Sequence, residues 1–171
     1  NNYFLNSKQL NISNMNNNPS ATAAIEIDNE EKTLTGNYTA TANNESIILV
    51  KNNSNLMLNN AALTKISGDS SNIENSEFYG INAGILVTAN STANITNTQI
   101  STNAKGSNAV FSTGTDSKIY LTNTKINTTG AGSARGLDAT YGGYIEANNI
   151  TINTQGNSCA TLATDRGEGT V

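Results

Sequence analysis

The chain has 171 residues, with 9 basic and 13 acidic side chains, a formal charge of −4 and no histidine. That balance argues against a nucleic-acid partner, because no basic patch is available to neutralise a run of phosphates. The longest apolar stretches are four or five residues, so no segment reads as a membrane-spanning helix.

Asparagine, threonine and serine dominate, at 31, 23 and 16 residues. Such a composition resembles a disordered polar tract, but the apolar residues here recur at set spacings to the end, which disorder does not require. A single cysteine, Cys159, excludes an intrachain disulfide. With no histidine to activate it, Cys159 reads as a small buried hydrophobe at a strand start rather than a reactive thiol.

Taken in chain order, residues 1–44 carry the pattern only faintly. Leu10-Asn11-Ile12-Ser13-Asn14 and Thr35-Gly36-Asn37 fit it with adjusted spacing, so this stretch is expected to be an irregular start or cap. Its acidic run, Glu26 to Glu31, reads as a solvated face rather than a metal loop.

From residue 45 onward two columns repeat. In the first, Leu58-Asn59-Asn60-Ala61-Ala62-Leu63 aligns with Ile95-Thr96-Asn97-Thr98-Gln99-Ile100. Leu121-Thr122-Asn123-Thr124-Lys125-Ile126 and Ala147-Asn148-Asn149-Ile150-Thr151-Ile152 continue the series. Ile73-Glu74-Asn75-Ser76-Glu77-Phe78 is read as a further copy, inside the long gap between the first two. The second column aligns Ile48–Lys51, Ile85–Thr88, Val110–Thr113, Leu137–Thr140 and Thr161–Thr164. Short strands with period two, broken by Asn, Gly and Ser, exclude helical repeats and predict an all-β parallel solenoid of about five coils, roughly 25 residues each.

In that architecture Asn60, Asn97, Asn123 and Asn149 are hinges rather than ligand contacts. A sharp bend needs a residue that tolerates the left-handed region, which Asn does at low cost. Stacked at one height, their side-chain amides can form a ladder. The expected inward residues are Ile95, Ile100, Leu121, Ile126, Ala147 and Ile152.

These residues resemble the right-handed, single-stranded parallel β-helix of the pectate-lyase-like group, in which an asparagine ladder fills the tight turn between second and third strands. The run from Gly136 to Val171 is also similar to repetitive β-helices of microbial adhesin-like surface proteins and autotransporter passenger domains. The resemblance covers residues 45–171 well and 1–44 loosely, and it implies an extracellular or cell-surface location.

An enzyme on this fold would be a polysaccharide lyase or glycosidase. Glycosidases need two carboxylates about 5–10 Å apart, and no acidic residues fall in one column on adjacent coils. Arg135, Asp138, Asp165 and Arg166 are the one polar cluster the register brings close, and a salt-bridged surface patch is its simplest reading. No catalytic, cofactor-binding or metal-ligating set emerges, and no cofactor is expected. Eight Asn-x-Ser/Thr sequons are no more than this composition produces by chance.

Leu49, Leu86, Phe111 and Leu162 alternate with inward residues and form either an exposed partner stripe or a strip covered by a loop. Thr170-Val171 falls where Tyr144-Ile145 and Lys118-Ile119 begin strands, so the array is expected to continue beyond residue 171, covalently or through another copy. The expected function is a non-catalytic surface stalk, adhesin-like module or filament component, with further repeats, a host surface or carbohydrate as partners. Two other readings are a carbohydrate-binding or polysaccharide-processing domain, and an ice-binding solenoid prompted by Thr-x-Thr pairs such as 96–98 and 122–124.

Overall fold

The computed structural model describes residues 18–171. They wind into a parallel β-solenoid of about six turns, with ~26 residues per turn. Each of the first five turns contributes one strand to sheet A and a longer, bent strand or strand pair to sheet B, and the sixth contributes a strand to sheet A alone. Sheet A stacks β1 (Thr22–Asp28), β3 (Glu45–Lys51), β5 (Ile85–Val87), β8 (Val110–Thr113), β10 (Leu137–Thr140) and β12 (Leu162–Asp165) in that order. Sheet B stacks β2 (Glu31–Thr39), β4 (Asn55–Lys65), the pair β6 (Thr92–Thr96) and β7 (Gln99–Thr102), β9 (Lys118–Thr128) and β11 (Tyr144–Thr154).

The coil count corrects the expectation of five. Residues 22–39, assigned to an irregular start, form a complete coil in register: Ile25 pairs with Ile48, Ile27 with Val50 and Leu34 with Leu58. The sequence hid this coil because its bend carries Thr35-Gly36 instead of asparagine, with Gly36 at φ 98°. The Leu10–Asn14 part of the proposed cap lies outside the described residues.

The bends fall where the asparagines stand. Asn60, Asn97 and Asn123 have φ 49° and Asn149 has φ 54°. Most L-residues pay about 1–2 kcal/mol to enter that region, and Asn pays less. Each bend points apolar residues on both its flanks inward, and burying one of them contributes about 1.5–3 kcal/mol. Burial therefore outweighs the bend. The core columns that result run Leu58, Ile95, Leu121 before the bend and Leu63, Ile100, Ile126 after it, all buried. Ala147 and Ile152 continue these columns but are only half-buried, because β11 is the last strand of sheet B.

Two threonine hydroxyls inside the coils are satisfied by loop carbonyls. Thr102 Oγ1 donates to Ser107 O at 2.9 Å and Thr128 Oγ1 to Ala134 O at 2.7 Å. Lys65 occupies the same column as these threonines. Its Nζ donates to Ala42 O at 2.9 Å from a fully buried position.

The interval between Ile73 and Phe78 is not another copy of the strand pattern. It is helix α1 (Ile73–Tyr79), inserted in the loop that leads from the second coil to the third. Asn72 caps its start, accepting from the amides of Glu74 and Asn75, and Gly80 closes it at φ 72°. Those two local signals outweigh the Ile-x-Asn resemblance, and Asn75 takes no left-handed turn.

Candidate functional site

Helix α1 lies along the outer face of sheet A and defines the most structured non-repetitive feature of the molecule. A Cβ placed on Gly80 would sit 2.5 Å from Phe111 and 2.7 Å from Leu86, so the helix end rests directly on these side chains. Leu49, Leu86 and Phe111 join Ala83 in a second buried cluster, separate from the solenoid core. Their exposures are 0, 1 and 0 %, which removes them as a partner stripe. A loop insertion covers them.

Leu162 never belonged to that column. It pairs with Leu137, which places it with Ile48, Ile85 and Val110 on the inward side. The residue that follows Phe111 and Asp138 outward is Ala163. The sequence alignment slipped by one residue in the last coil. A one-residue slip in a strand exchanges its two faces. Leu162 is nevertheless 55 % exposed, because no described strand stacks on β12.

Of the four residues singled out as a polar cluster, Arg135 and Arg166 contact α1 directly and Asp138 is tied to it through Arg135. Arg135 Nη1 donates to Asp138 Oδ2 at 3.0 Å, and its Nη2 donates to Glu77 Oε1 of the helix at 2.8 Å. Arg166 lies over the Phe78 ring, with Cζ 3.7 Å from the centroid. Asp165 stands beside Thr140, one coil further on. The expectation of a surface patch is wrong for Asp138, which is fully buried.

Its electrostatics follow from that burial. Loss of solvent raises the Asp138 pKa to about 6, opposed by Arg135 and reinforced by Asp165 and Glu77. Asp138 Oδ1 has no hydrogen-bond partner. For Arg135, burial works against the charge, but Glu77 and Asp138 together hold its pKa above the ordinary value.

The same helix end makes further polar and aromatic contacts. Thr140 Oγ1 donates to Phe78 O at 2.8 Å, and Asn108 Nδ2 donates to Ser76 O at 3.1 Å. Tyr79 and Tyr141 stack with centroids 5.4 Å apart. Tyr141 holds φ 52°, unusual for a bulky side chain, in a turn position where the first two coils place Asn29 and Asn52. Burial and the Tyr79 hydroxyl push its phenol pKa up to about 12. Sequence reasoning missed Glu77, Phe78, Tyr79 and Tyr141. The signal for them was the pair of caps, Asn72 and Gly80, inside a coil of 37 residues rather than about 26.

Elsewhere polar side chains pair with one another along the coils. Asn149 donates its side-chain amide to Asn123 Oδ1, and Asn90 donates to Asn53 Oδ1 at 2.6 Å in a second, parallel rank. Glu26 and Asp28 flank Lys51 at 3.6 and 4.0 Å on the outside of sheet A. Cys159 is buried, and its sulfur accepts from the Ala134 amide at 3.2 Å. Among the described residues no group of three His, Cys, Asp or Glu side chains converges as a metal site would. No helix there is long and apolar enough to cross a membrane.

The Thr-x-Thr pairs do not form a flat array. Thr98 and Thr124 turn inward behind the asparagine bends and donate to the carbonyls of Thr96 and Thr122. No protein-family model, curated protein or solved structure matches the chain.

Proposed function

We propose that this chain is a non-catalytic structural module of an extracellular surface protein, a stalk or filament element whose last coil receives a further coil. The docking partner is another coil of the same kind, from a second copy of this chain. The observation that carries this reading is Leu162. Its column-mates Ile48, Ile85, Val110 and Leu137 are fully buried, whereas Leu162 is 55 % exposed.

The end is also stepped. Sheet A has six strands, while sheet B ends at β11 apart from one bridge between Tyr144 and Thr170. Unpaired strand edges over half-open apolar columns are templates for association. The inward residues of the first coil, Ile25, Ile27 and Leu34, have the same chemistry as those left open at the last.

A non-catalytic role is supported by the state of the acidic groups. The one buried carboxyl among the described residues, Asp138, sits beneath a helix and is engaged by arginine. A sugar cannot reach it while α1 is in place. The adhesin-like or autotransporter-like affiliation rests on the resemblance of the repeat pattern.

Sedimentation velocity over two decades of protein concentration tests the proposal. The wild-type chain should self-associate, and Leu162→Arg should shift it towards monomer without changing its circular dichroism. A wild-type chain that stays monomeric throughout the range would overturn the docking role.

A further inference from the structure

Helix α1 belongs to the loop between the second and third coils, yet its anchors lie on the fourth, fifth and sixth. Asn108, Arg135, Thr140 and Arg166 supply them. The fully buried charged side chain under the helix is Asp138, with one oxygen on Arg135 and the other unpartnered.

The surroundings of that carboxyl are unbalanced. Arg135 faces it from the loop before β10, Glu77 from α1 and Asp165 from β12. Arg166 is turned onto the Phe78 ring, and the neighbour of Asp138 on β8 is the apolar Phe111. One guanidinium thus serves two carboxylates while a third stands nearby. An ionised Asp138 leaves a buried oxygen with partial charge and no donor, which is costly. A protonated Asp138 removes that charge and frees Arg135 for Glu77.

We propose that α1 is a pH-sensitive clasp, seated when Asp138 carries a proton and loosened when Asp138 ionises. The apolar strip of Leu86 and Phe111 is then held shut in mildly acidic surroundings and uncovered more readily at neutral pH.

The sign follows from linkage. With the helix seated, Asp138 titrates at about 6, and with the helix lifted it returns towards the ordinary 3.8. The seated state binds the proton more tightly, so the seated state gains as pH falls from about 6 to 3.8 and gains nothing further below that. Between pH 7 and pH 5 the opening equilibrium should change by about tenfold.

Hydrogen exchange of the full chain reads this directly at the amides of Gly80 and Ile81, which donate to Ser76 O and Asn75 O. After correction for intrinsic exchange, their protection should be about tenfold greater at pH 5 than at pH 7, while amides within β9 change little. Asp138→Asn should abolish the pH dependence at Gly80 and Ile81. The carboxyl carbon shift of Asp138 in the wild-type chain should titrate near pH 6. Flat or reversed protection in the wild-type chain, an unchanged slope in Asp138→Asn, or an Asp138 titration near the ordinary carboxylate value would each overturn the clasp.

Discussion

Glu77 and Arg135 stand 58 residues apart in the chain and 2.8 Å apart in space. The first lies on a helix inserted early in the solenoid, and the second leads into the fifth coil. In a solenoid each coil ordinarily touches only its neighbours, so stability propagates coil by coil. This contact departs from that rule by tying an early loop to late coils.

Removing Arg135 should therefore cost more than a surface ion pair. Arg135→Met leaves Asp138 buried without a counter-charge, a loss of about 3–5 kcal/mol. Adding Asp138→Leu should recover most of it. Urea denaturation of the two variants, at a pH where Asp138 is ionised in the wild type, measures both.

Asn123 should rank its substitutes by backbone tolerance rather than by hydrogen bonding. Its φ of 49° makes Asn123→Gly nearly neutral, and Asn123→Ala should cost about 1–2 kcal/mol. Asn123→Val should cost more, since a β-branched residue is worst in that region. Thermal melts of the three variants give the order, and equal losses for Gly and Ala would contradict the hinge.

Phe111 and Leu162 should respond very differently to truncation. Phe111→Ala removes a ring buried beneath α1 and should cost about 3–5 kcal/mol. Leu162→Ala, at a half-open coil end, should stay within about 0.5 kcal/mol for the monomer. Chemical denaturation at low protein concentration separates the two.

Lys65 should make stability rise with alkalinity. Burial lowers its pKa below the ordinary 10.5, against the pull of Glu45 and Asp69. The unfolded chain then holds the proton more tightly. Stability increases with pH from the lowered value up to 10.5. The slope should be present in the wild type and absent in Lys65→Met. The comparison belongs below pH 10, because Tyr141, raised to about 12, contributes the opposite slope above its ordinary value of 10.0.

Much of this architecture is legible in the sequence because a solenoid writes its fold as vertical columns. Asn97, Asn123 and Asn149 recur at equal spacing, and each stands at the bend they mark. The first coil was hidden because Gly36 bends the chain there without asparagine. The fate of Leu86 and Phe111 was not legible at all. A side chain that points outward from a strand gives no sign of what lies over it, and α1 resembles a strand repeat at Ile73-Glu74-Asn75. The polar cluster was half legible: register brought Arg135 near Asp138, but Glu77 comes from an element that register does not describe.

Small-angle X-ray scattering of the associated species tests the docking of coil on coil most directly. Coils stack at about 4.8 Å, so six of them span roughly 30 Å. End-to-end docking should lengthen the particle by about that much while leaving its cross-section unchanged, and Leu162→Arg should suppress the lengthening. A particle that thickens instead of lengthening, or that keeps the dimensions of one chain at every concentration, would contradict the account.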